Sequence, residues 1–175
     1  MTGSSKKPRQ AYLVDLFARA NHALMVPFEE EVKSRGLSFI EWRVLKTLLA
    51  HDGMQIIDIA EHVLSLQETV TKAVGRMERL KLVQRRTPSE DRRRRSVHLT
   101  EHGERVARPL AVLADQRDLA VERALGVSTS RKLKVTLVQL IELIRKPAII
   151  GRLGQVRSHS HFRRLNTRDF REALA

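Results

Sequence analysis

Residues 91 to 100 read Asp-Arg-Arg-Arg-Arg-Ser-Val-His-Leu-Thr, and four adjacent guanidiniums on so short a stretch repel one another unless an anion lies among them. Arginine's planar fork of donors suits phosphate, and it suits the narrow minor groove of duplex DNA, where the potential is most negative. A second group lies upstream: Gln67, Glu68, Thr69, Thr71, Lys72 and Arg76. Glutamine can pair through two hydrogen bonds with adenine, threonine can meet bases or phosphates, and lysine can reach guanine or phosphate. Arg76 and Arg79 are better suited to phosphate alone. A polar helix face or a charged loop is, taken singly, most often just solvated. The two groups together weigh toward nucleic acid.

Other chemistries find less support. The sequence has no phosphate-binding glycine loop, no nucleophile elbow, and no His/Asp/Glu cluster at catalytic spacing. Asp58 and Glu61 read as solvated or helix-capping acids, so no enzyme is expected. The chain has no cysteine, which excludes thiolate zinc sites, disulfides and thiol-based peroxide sensing. His98 and His102 straddle a strand-to-helix junction and do not share a helical face. His159 and His161 fall in a basic terminal stretch without fixed ligand geometry. Neither a metal nor a cofactor is expected.

The formal net charge of the 175 residues is +13, with an isoelectric point near 11.1. Such an excess attracts polyanions, either nucleic acid or an anionic membrane surface. No apolar run approaches the roughly 18 residues needed to span a bilayer, and no apolar stretch follows the basic N-terminus as a secretion signal would require. The expected compartment is the cytoplasm.

These side chains need elements to hold them. Leu13, Leu16, Phe17, Ala20, Leu24, Phe28 and Val32 draw one helical stripe, which Pro27 should kink or divide and Gly36 should end. Ser38 to Glu41 forms a capping box before a helix with Ile40, Val44, Leu45, Leu48 and Leu49 inward. A short helix follows over 56–63. Ser65 to Glu68 reads as a second capping box, opening a helix from about Leu66 to Leu80 with Val70, Ala73, Val74, Met77 and Leu80 inward. Residues 82–86 and 95–99 alternate as the strands of a hairpin, joined by the turn chemistry of Thr87-Pro88-Ser89-Glu90-Asp91. Arg95 is read as pointing inward to a carboxylate. Thr100 can cap a helix from Glu101 to about Gly126, and a last helix runs from Ser130 to Lys146, where Pro147 stops it. The expected fold class is mainly α with a small β-wing.

Residues Leu37 to Gly103 resemble the multiple-antibiotic-resistance regulator (MarR) family of winged helix-turn-helix proteins. The wing pattern D-x-R-x-x-x-V-x-L-T is matched at every fixed position by Asp91 to Thr100. Ile59-Ala60-Glu61, Thr69-Val70-Thr71, Arg76-Met77-Glu78-Arg79 and Leu82-Val83 follow at the family's spacing. The chain departs from the pattern in carrying Leu64 and Lys81 where many members have Gly, and Leu66 where many have Ser. The run Leu64-Ser65-Leu66-Gln67 looks closer to the branch controlling benzoate and hydroxycinnamate breakdown.

The resemblance implies a layout of five parts. Residues 1–9 are a flexible basic N-terminus and 10–36 an N-terminal dimerisation helix. Residues 37–100 are the winged helix-turn-helix, 101–147 the C-terminal dimerisation helices, and 148–175 a basic tail, mobile or forming a short helix. It also implies a homodimeric, sequence-specific transcriptional regulator, more readily a repressor than an activator, bound to an imperfect palindrome whose halves lie about 34 Å apart. Helix 66–80 would enter the major groove. Arg93 would enter the minor groove, braced by Asp91, with Arg92 and Arg94 on the backbone. A small aromatic acid or coenzyme A thioester would release the DNA, with Arg19, His22, Trp42 and Arg43 lining its crevice. Trp42 as a core anchor and Arg19 as a surface charge are the plainer alternatives. The rival reading is a non-specific architectural DNA-binding protein without effector.

Overall fold

The computed structural model describes residues 12–86 and 95–144. The chain divides into two compact units, residues 1–38 and 39–175.

The first unit contains helix α1, Leu13–Ser34. Its end is set by Gly36 at a φ of 75°. The Gly36 amide returns to the Lys33 carbonyl at 2.8 Å and the Leu37 amide to the Val32 carbonyl at 3.3 Å, which satisfies the last turn's orphan acceptors. The expected division at Pro27 does not occur: the helix runs through it. Pro27 is exposed, and in a helix of 22 residues its missing amide removes one bond of a long ladder. Of the expected stripe, Phe28 and Val32 are buried, whereas Leu13, Leu16 and Leu24 stay exposed.

The second unit is the winged assembly. Helix α2 (Phe39–Ala50) buries Trp42, Val44, Leu45 and Leu48. Strand β1 is the pair Met54–Gln55, followed directly by α3 (Ile56–His62) and α4 (Gln67–Arg79). Strands β2 (Val83–Arg86) and β3 (Ser96–Leu99) lead into α5 (Glu101–Leu125) and α6 (Val127–Ile144). Ile59, Val63, Val70, Val74, Met77, Val97 and Leu110 join the α2 residues in one aliphatic core, each almost fully buried.

The expected hairpin is a three-stranded antiparallel sheet in the order β1-β3-β2. Val83 faces Leu99 and Arg86 faces Ser96 on one side of β3, while Met54 faces Val97 on the other. A two-residue strand carries no alternation for a sequence pattern to reveal. Three further boundaries differ. Helix α4 starts at Gln67 with Leu66 as its cap residue and no side-chain cap bond, so Ser65 is not the cap. Leu80 is not inward but 42% exposed, beyond the last turn. Helix α6 starts at Val127 because Gly126, at a φ of 76°, separates it from α5 by a single residue.

Thr100 caps α5 as expected, accepting from the Gly103 amide at 2.9 Å. Its own hydroxyl donates to the Lys81 carbonyl at 2.6 Å, so this residue ties the helix start to the end of the α4 segment. A Cβ on Gly103 would collide with the Leu82 carbonyl; glycine is required there because backbone meets backbone.

Candidate nucleic-acid interface

Helix α4 is placed by a tight turn after α3. The Leu64 amide reaches the Glu61 carbonyl at 3.2 Å and the Ser65 amide the Ala60 carbonyl at 3.0 Å, and Leu64 takes a left-handed φ of 49°. Leu66 then extends at φ −68° and ψ 139° before the helix begins. Val70, Ala73, Val74 and Met77 are buried along one side of α4. Burying that side leaves Gln67, Glu68, Thr69, Thr71, Lys72, Arg76 and Arg79 exposed. The residue types expected to meet DNA thus share a surface.

Within that surface Gln67 and Thr71 stand one turn apart, and the Thr71 hydroxyl donates back to the Gln67 carbonyl at 2.7 Å. Glu68 and Lys72 form the next row, their charged groups 2.8 Å apart with both side chains 76% exposed. The hydrogen bond and charge of Lys72 hold the Glu68 carboxyl below its ordinary pKa, and Glu68 in turn raises that of Lys72. Arg76 does something else. Its Nη1 lies 2.7 and 2.6 Å from the two carboxylate oxygens of Glu41, a residue of α2 that is only 2% exposed. Glu41 reads from the sequence as half of a capping box; its carboxylate also grips α4. The signal was available, since Glu41, Leu45 and Leu48 lie at the i, i+4, i+7 spacing of one helix face.

The base of the wing carries a second network that local spacing does not reveal. The His98 ring sits between Asp52 and Ser96, with Nδ1 2.8 Å from Asp52 Oδ2 and Nε2 2.9 Å from Ser96 Oγ. Asp52 Oδ1 accepts from the Leu99 amide at 2.9 Å, taking the place of a strand residue just before β1 begins. Partial burial alone would raise the Asp52 pKa. No single contact outweighs it, but the His98 hydrogen bond, the Leu99 amide, the His98 charge and the Gly53 amide do so together, and the net shift is downward. Gly53 packs so closely on the His98 ring that a Cβ would lie 2.8 Å from its Cε1. On β2, Arg85 reaches Glu78 of α4 at 3.2 Å, which joins α4 to the sheet. Arg95 is exposed, contrary to the inward orientation expected of it; its position immediately before β3 places it at the edge of the sheet. Asp91, Arg92, Arg93 and Arg94 lie outside the described residues.

The effector candidates separate by environment. Arg19 is exposed on α1 and pairs with Asp15 at 2.9 Å; His22 is exposed as well. Trp42 is 2% exposed and packs as a core anchor. Arg43 is half-buried, and burial lowers its pKa from the usual arginine value. Among the described residues no group of three His, Cys, Asp or Glu side chains is placed to hold a metal ion. No helix among them is long and apolar enough to cross a membrane.

Comparison with known proteins finds the same winged-helix fold. Residues 35–94 match the model of the MarR family. The chain is similar to the HTH-type transcriptional regulator FarR of Neisseria gonorrhoeae, 29% identical over 125 residues, which cover 71% of this chain and 86% of that protein. It is similar to the homoprotocatechuate degradative operon repressor of Escherichia coli, 33% identical over 86 residues, or 49% of this chain and 58% of the repressor. Among solved structures, a MarR family transcriptional regulator from Silicibacter pomeroyi superposes with a TM-score of 0.68 at 28% identity, covering 77% of this chain and 96% of that one. NadR in complex with 4-hydroxyphenylacetate superposes with a TM-score of 0.64 at 27% identity, covering 78% and 97%.

Proposed function

We propose that the chain is a winged-helix transcription regulator of the MarR type, a reading supported by the match of residues 35–94 to that family's model and by its similar proteins, and that it is a homodimeric, sequence-specific repressor that a small aromatic anion releases from DNA. The observation that carries the reading is the exposed face of α4. Gln67, Glu68, Thr69, Thr71 and Lys72 stand out from a helix whose other side is buried, the arrangement a major-groove reader needs. Arg92, Arg93 and Arg94 supply the minor-groove and backbone contacts, with Asp91 bracing Arg93. Two further facts support pairing of two chains: Leu13, Leu16 and Leu24 of α1 leave an apolar stripe uncovered, and so do Val112, Leu119, Leu133 and Leu143 of α5 and α6.

Support for repression and for an aromatic effector comes from the similar proteins, one a repressor of homoprotocatechuate degradation and one solved with 4-hydroxyphenylacetate. Arg43 is the cation we assign to the effector's carboxylate. Its half-buried guanidinium meets an anion with less competition from water than a surface arginine does.

The test is binding to DNA flanking the protein's own gene against a random duplex of equal length, by anisotropy at two salt concentrations. Wild type should discriminate, and its log affinity should fall with log salt by about 0.9 for each phosphate neutralised. Gln67→Ala and Arg93→Ala should both weaken binding. Equal affinity for the two duplexes would replace this reading with the non-specific architectural one. Aromatic carboxylates and their coenzyme A thioesters, titrated into the same complex, should release the DNA for at least one compound. A panel that gives neither release nor heat would remove the effector from the reading.

A further inference from the structure

We propose that Glu41 is a positioning residue for the reading helix: its grip on Arg76 sets the rotation of α4 about its own axis, and Arg76 serves alignment instead of phosphate contact. The inference rests on the DNA-binding function proposed above.

Glu41 occupies a place on the inward face of α2 beside Leu45 and Leu48, where an apolar side chain would fit the surrounding core. An ion pair with a buried partner seldom stabilises a fold more than well-packed apolar residues of similar size, because the buried charge must give up its water; here that charge is the Glu41 carboxylate, while Arg76 keeps part of its exposure. Stability therefore gives no reason for a carboxylate 2% exposed to be held there by an arginine 35 positions along the chain.

Directional hydrogen bonding gives one. Besides the longer Glu78–Arg85 pair to β2 at 3.2 Å, the remaining inward contacts of α4 are Val70, Ala73, Val74 and Met77, rounded aliphatic groups whose attraction has no preferred direction. They determine which side of the helix faces the core but resist small rotations weakly. A rotation of about 20° at a side-chain radius of roughly 6 Å moves a tip by about 2 Å, whereas a recognition site works within about 0.5 Å. At about 100° per residue, Arg76 lies roughly opposite Gln67 around the helix, the two flanking the face that carries Glu68 and Lys72. Fixing Arg76 against α2 at 2.6 and 2.7 Å therefore fixes the angle at which Gln67 and Thr71 leave the other flank.

The experiment compares wild type, Arg76→Lys, Arg76→Gln and Glu41→Gln as full-length proteins, with circular dichroism and thermal melting as the check on folding. Each is titrated with the own-gene duplex and the random duplex across a salt series. Arg76→Lys keeps the charge a phosphate would feel but replaces the rigid planar guanidinium with a freely rotating ammonium. Glu41→Gln keeps the shape and loses the carboxylate, and Glu41 is buried away from any DNA. We expect both variants to lower the ratio of own-gene to random affinity by about tenfold, the worth of one base contact. Random-duplex affinity and the salt slope should stay as in wild type for both, and the slope should also be unchanged in Arg76→Gln. The proposal is overturned if Glu41→Gln discriminates like wild type. It is equally overturned if Arg76→Lys is normal while Arg76→Gln lowers the salt slope by about 0.9 per protomer, the mark of a lost phosphate contact. A wild type that does not discriminate would instead overturn the function proposed above, and the same titration shows it before any variant is made.

Discussion

Helix α4 carries two ion pairs of nearly equal length in opposite surroundings. On its outward face Lys72 and Glu68 meet at 2.8 Å with both side chains 76% exposed. On its flank Arg76 and Glu41 meet at 2.6 Å, with the carboxylate 2% exposed and the arginine side chain 45% exposed. Water and salt compete fully for the first pair and hardly at all for the carboxylate of the second. The outward pair can exchange partners at little cost, so a phosphate or base edge can take Lys72 from Glu68. The flank pair cannot exchange cheaply, so it holds a shape. On the proposed function, one helix separates the charges that meet a ligand from the charges that aim it, and burial makes the separation.

The comparison can be broken most forcefully by Arg76→Met, which leaves the Glu41 carboxylate buried without its guanidinium. The expected loss is about 3 kcal/mol of folding stability, at the low end for a broken buried pair because Arg76 is only partly covered. Urea unfolding measures it, and a loss below about 1 kcal/mol would mean that the other partners of Glu41 carry the carboxylate. Next in size, the double replacement Glu41→Leu with Arg76→Leu should recover stability to within about 1 kcal/mol of wild type while duplex discrimination stays impaired. Recovery of both would show that the pair aims nothing.

On the outward face, Glu68→Gln should leave the melting temperature unchanged and raise affinity for random duplex about threefold, since an anion is removed from the face proposed to meet phosphates. The smallest effect is a titration. The Glu68 pKa is depressed by Lys72 from a reference of 4.5, so the pair's contribution is present above about pH 4.5 and is lost as the pH falls through the lower folded value. Carbon-detected NMR of the Glu68 carboxyl should show its midpoint rise in Lys72→Ala. An unchanged midpoint would mean that the pair does not persist in solution.

Much of this architecture follows from local pattern. The stripes of α2 and α4 and the Thr100 cap are written in adjacent residues, and each element forms close to where its pattern lies. Local reading fails where a partner is remote or the backbone is unusual. Ser65 looks like a cap because Glu68 follows at the right distance, but the left-handed turn at Leu64 consumes the residues before Gln67, and the helix starts uncapped by any side chain. Met54–Gln55 is too short to show a period. The partners of Arg76 and His98 lie 35 and 46 positions away, beyond any spacing rule, although an acid on the apolar stripe of α2 announces that some buried cation must exist. The polar residues of the exposed face of α4 were visible in the sequence; the pairing that draws Arg76 toward buried Glu41 was not.

The two left-handed residues that bracket α4, Leu64 at φ 49° and Lys81 at φ 56°, bear on how this protein could be made hardier. Neither is glycine, and each holds a conformation that costs a side-chain-bearing residue about 1 kcal/mol. Both turns are closed by backbone amides returning to helix carbonyls, Leu64 to Glu61 and Lys81 to Glu78, so neither side chain is needed for closure. Leu64→Gly and Lys81→Gly would relieve that local strain at the expense of a looser unfolded chain, two opposing amounts of similar size. The melting temperature should therefore move little, and thermostabilising changes are better sought elsewhere, leaving these joints as they are.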